Sequence, residues 1–444
     1  MMKKKALLVN PWVYDFSCYD LFSKPLGLLE IASFLKANSF EVELIDCMDR
    51  LNPRLESFTG EKPDKGRIPI CGIYHSEEVS KPGVFKDVPR KYKRHGMPEK
   101  LFKILLEETA KPDIILVTSG MTYWYTGVFE AISLLKEHFP GTPVMLGGIY
   151  ATLCHGHASR HSGADMVFKG PDMSGIAKAV SALSGKDCAI SDGRFMSAYE
   201  LYPRLDYATL RLSSGCPYKC SYCGWYLLNP EFYQIEPEEA ARQIDHFYRK
   251  MGIKNFAFYD EALFYNADNY IMEVLRILAD IGVKANFYTP NGLHAKFLTK
   301  DLAESLRRSG FIAPRIGFES AYDTRQKTTG GKVDNRELVE AISLLKDAGY
   351  SSSEIGVNIL IGLPDQSERE VEESMRFCHK YGVRVHLEEY SPVPGTPYFD
   401  RSGIALDADP LLHNNSAFPL YDKERYSAIQ GLKQLNTELN RKNH

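Results

Sequence analysis

The chain has 444 residues, 44% hydrophobic and 25% charged, with a formal net charge of −3. That length allows two or three domains around sizeable buried cores, and the charge excludes a global basic field that would draw the chain to nucleic acid. No apolar run approaches the roughly 18 residues of a membrane helix, and the short apolar run in the opening MMKKKALLVN is too brief for a signal-peptide core. Nine cysteines, six of them scattered singly, then predict free or metal-bound thiols in a reducing, cytoplasmic setting.

In chain order, KALLVN is a short buried strand ending in an Asn-Pro turn signal. Pro25–Ala37 is apolar at helical spacing, and Glu41–Asp46 alternates as a strand. The pattern breaks from Leu51 to about Lys100, where Pro, Gly, Lys and Arg dominate. This 51–100 insert reads as a solvated basic surface loop, with a lid or anion-binding element as the alternative. Asp113–Gly120, Pro143–Gly148 and Ala164–Gly170 follow as strands, with a helix at Phe129–His138. Buried runs separated by helices predict a parallel, doubly wound Rossmann-like sheet over 1–185, with ligands expected at the carboxyl ends of its strands. A linker occupies 186–206.

A second rhythm begins near 207. TLRLSS, NFAFYD, KANFYT, APRIGF, EIGVNILIG and RVHLEEY alternate with helices at Pro237–Lys250, Ala267–Ile281, Lys300–Arg308, Asn335–Ala348 and Glu368–Lys380. Six such units predict an α/β chain whose second domain, 207–402, is a (βα)6 partial TIM barrel. The tail, 403–444, ends in an amphipathic helix at Lys423–Leu439.

The chemistry concentrates in SSGCPYKCSYC, Ser213–Cys223. Cys216, Cys220 and Cys223 stand in C-x3-C-x2-C spacing just after the first barrel strand, where barrel enzymes carry their active sites. Thiolates ligate iron–sulfur clusters, and three of them leave one iron of a 4Fe–4S cubane open. Zinc held by three cysteines and a fourth ligand is the competing reading, although paired CxxC knuckles are absent. Cysteines gathered by accident are the other.

With Tyr222 before the last cysteine, the loop resembles the signature of the radical S-adenosylmethionine (SAM) superfamily. That resemblance implies that the open iron chelates SAM and that one electron cleaves it to methionine and a 5′-deoxyadenosyl radical. It also implies an electron donor of flavodoxin or ferredoxin type. Phe258–Phe264 resembles the family's acidic segment, making Asp260 and Glu261 candidates for the SAM amino group, with a helix cap or solvated pair as the plain alternative. Asn291, after the third strand, is a candidate for the ribose or methionine backbone, or simply a turn residue. Arg315, Glu319 and Ser320 fall in a segment similar to the family's G-x-E-S, where Arg315 would meet a carboxylate and Glu319 a polar SAM group. A barrel-bracing Arg–Glu pair is the alternative. Leu360 would pack on the adenine, and Gly362 would allow close backbone approach.

YSPVPGTPYFD, Tyr390–Asp400, looks like the sixth-strand ending of superfamily members with an N-terminal cobalamin-binding domain. The order of VNPW, PDIILVTSG and PVMLGGIYAT upstream extends the likeness. Ser119, Gly120, Gly147 and Gly148 would then approach a corrin, or else serve plain strand–helix turns. The D-x-H-x-x-G segment that supplies a lower axial histidine is absent, and His155 and His157 read as satisfied surface histidines. Cobalamin is therefore left open as a third cofactor. Tyr123, Trp124, Tyr125, Trp225 and Tyr226 read as interior packing, or as walls for an organic substrate.

The expected function is a radical SAM enzyme acting on a small molecule, with methyl transfer if cobalamin is present. Rivals are a thiomethyl-transferring tRNA-modification enzyme and a non-catalytic metal-binding protein. Membrane and nucleic-acid partners are not expected.

Overall fold

The computed structural model describes residues 3–442 apart from 65, 67, 69, 191–194 and 419–422. Two compact units emerge: Met1–Leu205 with Leu406–His413, and Asp206–Ala405 with Asn414–His444.

In the first unit a parallel sheet is built from β1 (Lys4–Asn10), β2 (Phe40–Asp46), β3 (Ile114–Val117), β4 (Val144–Leu146) and β5 (Met166–Val167). Their order is β5–β4–β3–β1–β2. Helices α1 (Leu26–Ala37) and α2 (Tyr125–His138) supply crossovers, and α3 (Met173–Ser184) follows the last strand. Leu8, Leu28, Leu35, Leu116, Ile176 and Val180 share one core, as a sheet covered by helices requires. Chain direction across the sheet reverses between β1 and β3, so the switch-point crevice of this fold class lies beside Ser119. Asp172 caps α3 by accepting from the Ser174 and Gly175 amides.

The insert differs from its expected form. Val13–Asp15, Lys93–His95 and Ser76–Glu78 make a three-stranded antiparallel sheet, and helices occupy Pro53–Thr59 and Glu99–Glu108. Arg54, Lys91 and Arg94 of the insert are spent on ion pairs. Arg94 reaches Glu77, Glu99 and Glu130, and Arg50 pairs with Asp20 while donating to the carbonyls of Asp64 and Ile70. Phe85, Val88 and Tyr92 are buried beneath. The tail also divides: Asp409 accepts from Tyr125 Oη at 2.8 Å, and His413 Nδ1 lies 3.0 Å from Thr122 Oγ1, so Leu406–His413 belongs to the first unit.

In the second unit the six expected strands are present: β6 (Ala208–Leu210), β7 (Asn255–Phe258), β8 (Asn286–Tyr288), β9 (Arg315–Glu319), β10 (Gly356–Ile361) and β11 (Arg384–Glu389). All adjacent pairs within β6–β7–β8 and β9–β10–β11 are parallel. Bridges Phe287–Phe311 and Leu293–Ile316 join the two halves. Helices α4 (Pro237–Met251), α5 (Ile271–Asp280), α6 (Lys300–Ser309), α7 (Asn335–Asp347) and α8 (Glu368–Lys380) alternate with them, and α9 (Lys423–Lys442) closes the chain. Thr299, Asp334 and Ser367 cap α6, α7 and α8, Asp334 with a full capping box to Glu337.

Alternation fixes the two faces of β9–β11. Ile316, Phe318, Val357, Ile359, Ile361 and Val385 bury themselves in the core shared with α7 and α8. Arg315, Asn358, Arg384, His386 and Glu388 stand at the opposite parity, on the inner face of the barrel. Short helices at Trp225–Leu228, Asp323–Thr328 and Pro397–Asp400 fall outside the expected pattern. Among the described residues no helix is long and apolar enough to cross a membrane.

Candidate active site

The cysteine loop leaves β6 through Ser213–Ser214, which pair antiparallel with Tyr233–Gln234. Gly215 has φ +78°, and a Cβ there would sit 2.4 Å from the Glu231 carbonyl oxygen, so the turn requires glycine. A backbone bond from Cys223 N to Cys220 O (3.0 Å) closes the second half of the loop. All three thiols are pushed up, Cys223 to about 11, chiefly by burial. Cys220 raises both of the others and Cys216 raises Cys223, while Lys332 lowers all three. A thiol held up by burial needs a metal or cation to become a thiolate ligand.

Asp260 and Glu261 follow β7 and lie against this loop. Asp260 Oδ1 accepts from Ser213 N (2.6 Å) and Ser213 Oγ (2.5 Å), locking the loop's first residue. Its other oxygen has no hydrogen-bond partner, and neither has either oxygen of Glu261. Burial pushes the Glu261 carboxyl up to about 7, with the neighbouring Asp260 adding to the rise, and Asp260 up to about 6. Thr289 Oγ1 and Asn358 Oδ1 are likewise buried without partners. Unsatisfied buried acceptors are rare in folded proteins and call for a ligand or water.

The remaining sequence-predicted residues divide by position. Glu319 closes β9 at φ +72°, beside a register shift that follows Gly317. Its carboxylate accepts from Lys332 Nζ, and Tyr222, the aromatic before the last cysteine, also bonds it. Lys332 lies above the Tyr222 ring at 5.8 Å. Arg315 sits at the other end of the same strand, its side chain against Gly356 near the His386 ring. Lys332, not Arg315, is thus the cation beside the cysteines. Sequence reading missed it because thirteen residues and a helix separate it from Glu319.

Ser320 Oγ donates to Glu370 Oε1 (2.9 Å) and is fully engaged in the wall. Asn291 Nδ2 donates to the Tyr259 carbonyl (3.1 Å), bracing the turn after β7. Leu360 is buried with Leu363, Tyr390 and Tyr398. Gly362, at φ +92°, donates to Gln366 Oε1, whose amide nitrogen returns to Leu360 O.

In the first unit Ser119 Oγ donates to Gly147 O (2.6 Å) and accepts from Ala151 N (3.2 Å). Gly148, at φ +98°, packs on the Ser119 backbone, and a Cβ on Gly120 would meet the Trp124 ring at 2.8 Å. Of the three glycines, only Gly147 would take a Cβ that meets nothing within 4 Å. These residues therefore shape the turns at the switch point. His157 Nδ1 is engaged by Tyr150 Oη at 2.7 Å, and Trp124 Nε1 donates to Asp15 Oδ2 at 2.8 Å. Both act as packing residues.

Among the described residues no three His, Cys, Asp or Glu side chains converge as a single metal ion would need. Zinc at about 2.3 Å from each sulfur would draw three thiolates to about 3.8 Å from one another. A cubane binds each thiolate through a different iron and tolerates wider spacing.

Residues 210–378 match the family model described as the radical SAM superfamily. The chain is 21% identical over 353 residues to the anaerobic magnesium-protoporphyrin IX monomethyl ester cyclase of Cereibacter sphaeroides, covering 71% of this chain and 56% of that protein. It is 23% identical over 213 residues to the hopanoid C-2 methylase of Rhodopseudomonas palustris, covering 46% and 40%. The chain thus spans about half the length of these curated relatives. Among solved structures, the radical S-adenosylmethionine methyltransferase TsrM from Kitasatospora setae, with tryptophan and a SAM analogue bound, has the same fold. The TM-score is 0.65 at 15% identity, over 89% of this chain and 75% of that one.

Proposed function

Residues 210–378 are a radical SAM domain, and from that premise we propose that the chain is an enzyme whose Cys216, Cys220 and Cys223 hold a 4Fe–4S cluster with one iron left for SAM. The observation that carries the proposal is one of convergence. Three thiols of one loop, the unpartnered oxygens of Asp260 and Glu261, and the Glu319–Lys332 pair belong to one end of one barrel. The cluster would supply one electron to cleave SAM into methionine and a 5′-deoxyadenosyl radical.

The chain's own residues have defined tasks in this reading. Glu261 accepts the SAM ammonium, a charge-assisted bond to a carboxylate that otherwise has no partner. Lys332 offers its ammonium to the SAM carboxylate while Glu319 keeps it charged and oriented. Asn358 Oδ1 and Thr289 Oγ1 are acceptors for ribose hydroxyls. Asp260 holds Ser213 and hence the start of the loop.

The substrate is a small polar organic molecule. Asn358 Oδ1 and Arg384 Nε, buried without partners on the inner strand face, are polar atoms that a hydrocarbon would leave unpaired. A reducing cytoplasm and a small electron-transfer protein suit the cluster chemistry.

Methyl transfer assisted by cobalamin is the reaction that the TsrM fold and the β5–β4–β3–β1–β2 order favour. The open space at Gly147 supports it, whereas Trp124 over Gly120 and the committed Ser119 hydroxyl do not, so no step is assigned to a corrin. The tRNA-modifying and non-catalytic readings lack a comparable observation.

Anaerobic purification with iron, sulfide and corrin analysis, followed by reduction with dithionite in the presence of SAM, tests the proposal. About four irons per chain, an electron paramagnetic resonance (EPR) signal shifted by SAM, and 5′-deoxyadenosine are expected. Loss of all three in Cys220→Ala is expected too. A wild-type chain that holds zinc and leaves SAM intact overturns it.

A further inference from the structure

Arg325 makes no contact with the cysteine sulfurs, yet it ties together the two elements that grip them. It lies in the short helix Asp323–Thr328 and is buried. Its five N–H donors find five acceptors. Nε and Nη2 take the two carboxylate oxygens of Glu370, at 2.9 and 3.0 Å. Nη1 takes Asp365 Oδ1 at 2.6 Å and Tyr398 Oη at 2.5 Å. Nη2 also takes the Asp365 carbonyl at 3.1 Å. One guanidinium thus joins elements following three consecutive barrel strands, β9, β10 and β11.

Both arms of this joint end on Ser221, the residue after Cys220. On one side the helix runs into Thr328–Thr329, whose last turn is anchored on the Arg325 carbonyl by Thr329 N (2.9 Å) and Thr329 Oγ1 (2.8 Å). Thr329 O accepts from Ser221 N (3.3 Å), and Thr328 O accepts from Ser221 Oγ (2.9 Å). The next residue, Gly330, presses on Cys220 so closely that a Cβ would lie 3.1 Å from its Cα and 3.3 Å from its sulfur. On the other side Tyr398, held through its hydroxyl by Arg325, donates its backbone N–H to Ser221 O (3.1 Å). Lys only partly replaces this joint, because an ammonium has three donors and no planar fork.

We propose that Arg325 is a positioning residue for the cluster loop, fixing Cys220 and Cys223 through Ser221 while leaving Cys216 to the separate Asp260–Ser213 lock. The inference rests on the reading of these cysteines as cluster ligands. A plain structural brace would loosen the barrel as a whole; the geometry here assigns the effect to two thiols of three.

The test uses the full chain as apoprotein, stripped of metal anaerobically, with iodoacetamide labelling of each cysteine followed by peptide mass spectrometry. In Arg325→Lys, Cys220 and Cys223 are expected to label about tenfold faster, with Cys216 and the core residue Cys378 unchanged. Equal rates in wild type and variant overturn the proposal. Faster labelling of Cys378 too means general loosening, and the decision then passes to Tyr398→Phe, which removes one hydroxyl and keeps the backbone bond. There, selective release of Cys220 and Cys223 supports the proposal, and its absence overturns it. In reconstituted protein the same variants are expected to shift the cluster's EPR g-values and midpoint potential. Should wild type hold no cluster at all, the proposed function fails while the labelling experiment still decides the role of Arg325.

Discussion

Glu261, proposed to accept the SAM ammonium, shows what such a role costs an empty protein. A buried carboxylate without a hydrogen bond is unfavourable, which is why its carboxyl is pushed up to about 7. Glu261→Gln is therefore expected to raise the melting temperature of the apoprotein while weakening SAM binding roughly 10- to 100-fold, the worth of a hydrogen bond to a charged group. Calorimetric titration of SAM beside a thermal melt checks both halves, and a variant that melts lower and binds as before contradicts the assignment. At this scale the sequence was readable where residues are neighbours: the cysteine spacing and the Asp260–Glu261 pair are local. Lys332 was not readable. It meets Glu319 only because β9 shifts register after Gly317 and ends in a left-handed residue, a backbone event with no local signal. Ser320 was a candidate from the same segment, and its hydroxyl turns to Glu370, a partner fifty residues on.

Elements carry the next lesson. The six strands and five intervening helices of the second unit follow directly from apolar periodicity, because each helix buries one stripe and each strand one face or two. The helix Asp323–Thr328 escaped, being six residues long, polar, and stabilised by Arg325 rather than by its own pattern. Its exit is where the loop is most sensitive. Gly330 has φ +124° and touches Cys220, in a backbone region nearly confined to glycine. Gly330→Ala is expected to cost about 1–3 kcal/mol and to lower iron content per chain on reconstitution, read by denaturant melts and metal analysis. Full iron loading with unchanged stability would show that the contact relaxes freely. The insert was misjudged for a related reason. Composition counts its lysines and arginines, but Arg54 and Arg94 find acidic partners that are distant in sequence, and Phe85, Val88 and Tyr92 supply apolar anchors without periodicity.

For the whole molecule, acid is the informative stress. His95, in the insert sheet of the first unit, is 2% exposed, donates from Nε2 to Asp15 O (3.2 Å), and is held down to about 4 by burial. Its folded value lies below the ordinary 6.5, so the unfolded chain binds the extra proton first. Its stabilising contribution is complete above pH 6.5 and is lost as pH falls toward 4, by about 3 kcal/mol at most. His413, also held down to about 4 by burial, adds a change of the same sign. Denaturant melts from pH 7 to pH 4 are expected to show this decline, and His95→Leu to flatten it; an unaltered slope in that variant would assign the acid loss elsewhere. Domain order and the doubly wound plan were legible in the chain, whereas the return of the tail was not, since Asp409 and His413 stand in a segment without periodicity.

That return has a practical consequence. Because Tyr125 and Thr122 take their partners from Asp409 and His413, no single scission liberates an intact amino-terminal half. A fragment stopping at residue 205 would expose a phenol and a hydroxyl normally covered, whereas adding a synthetic peptide spanning 406–413 should restore its resistance to proteolysis. Chimaeras that exchange this half between related enzymes would have to carry the peptide with it.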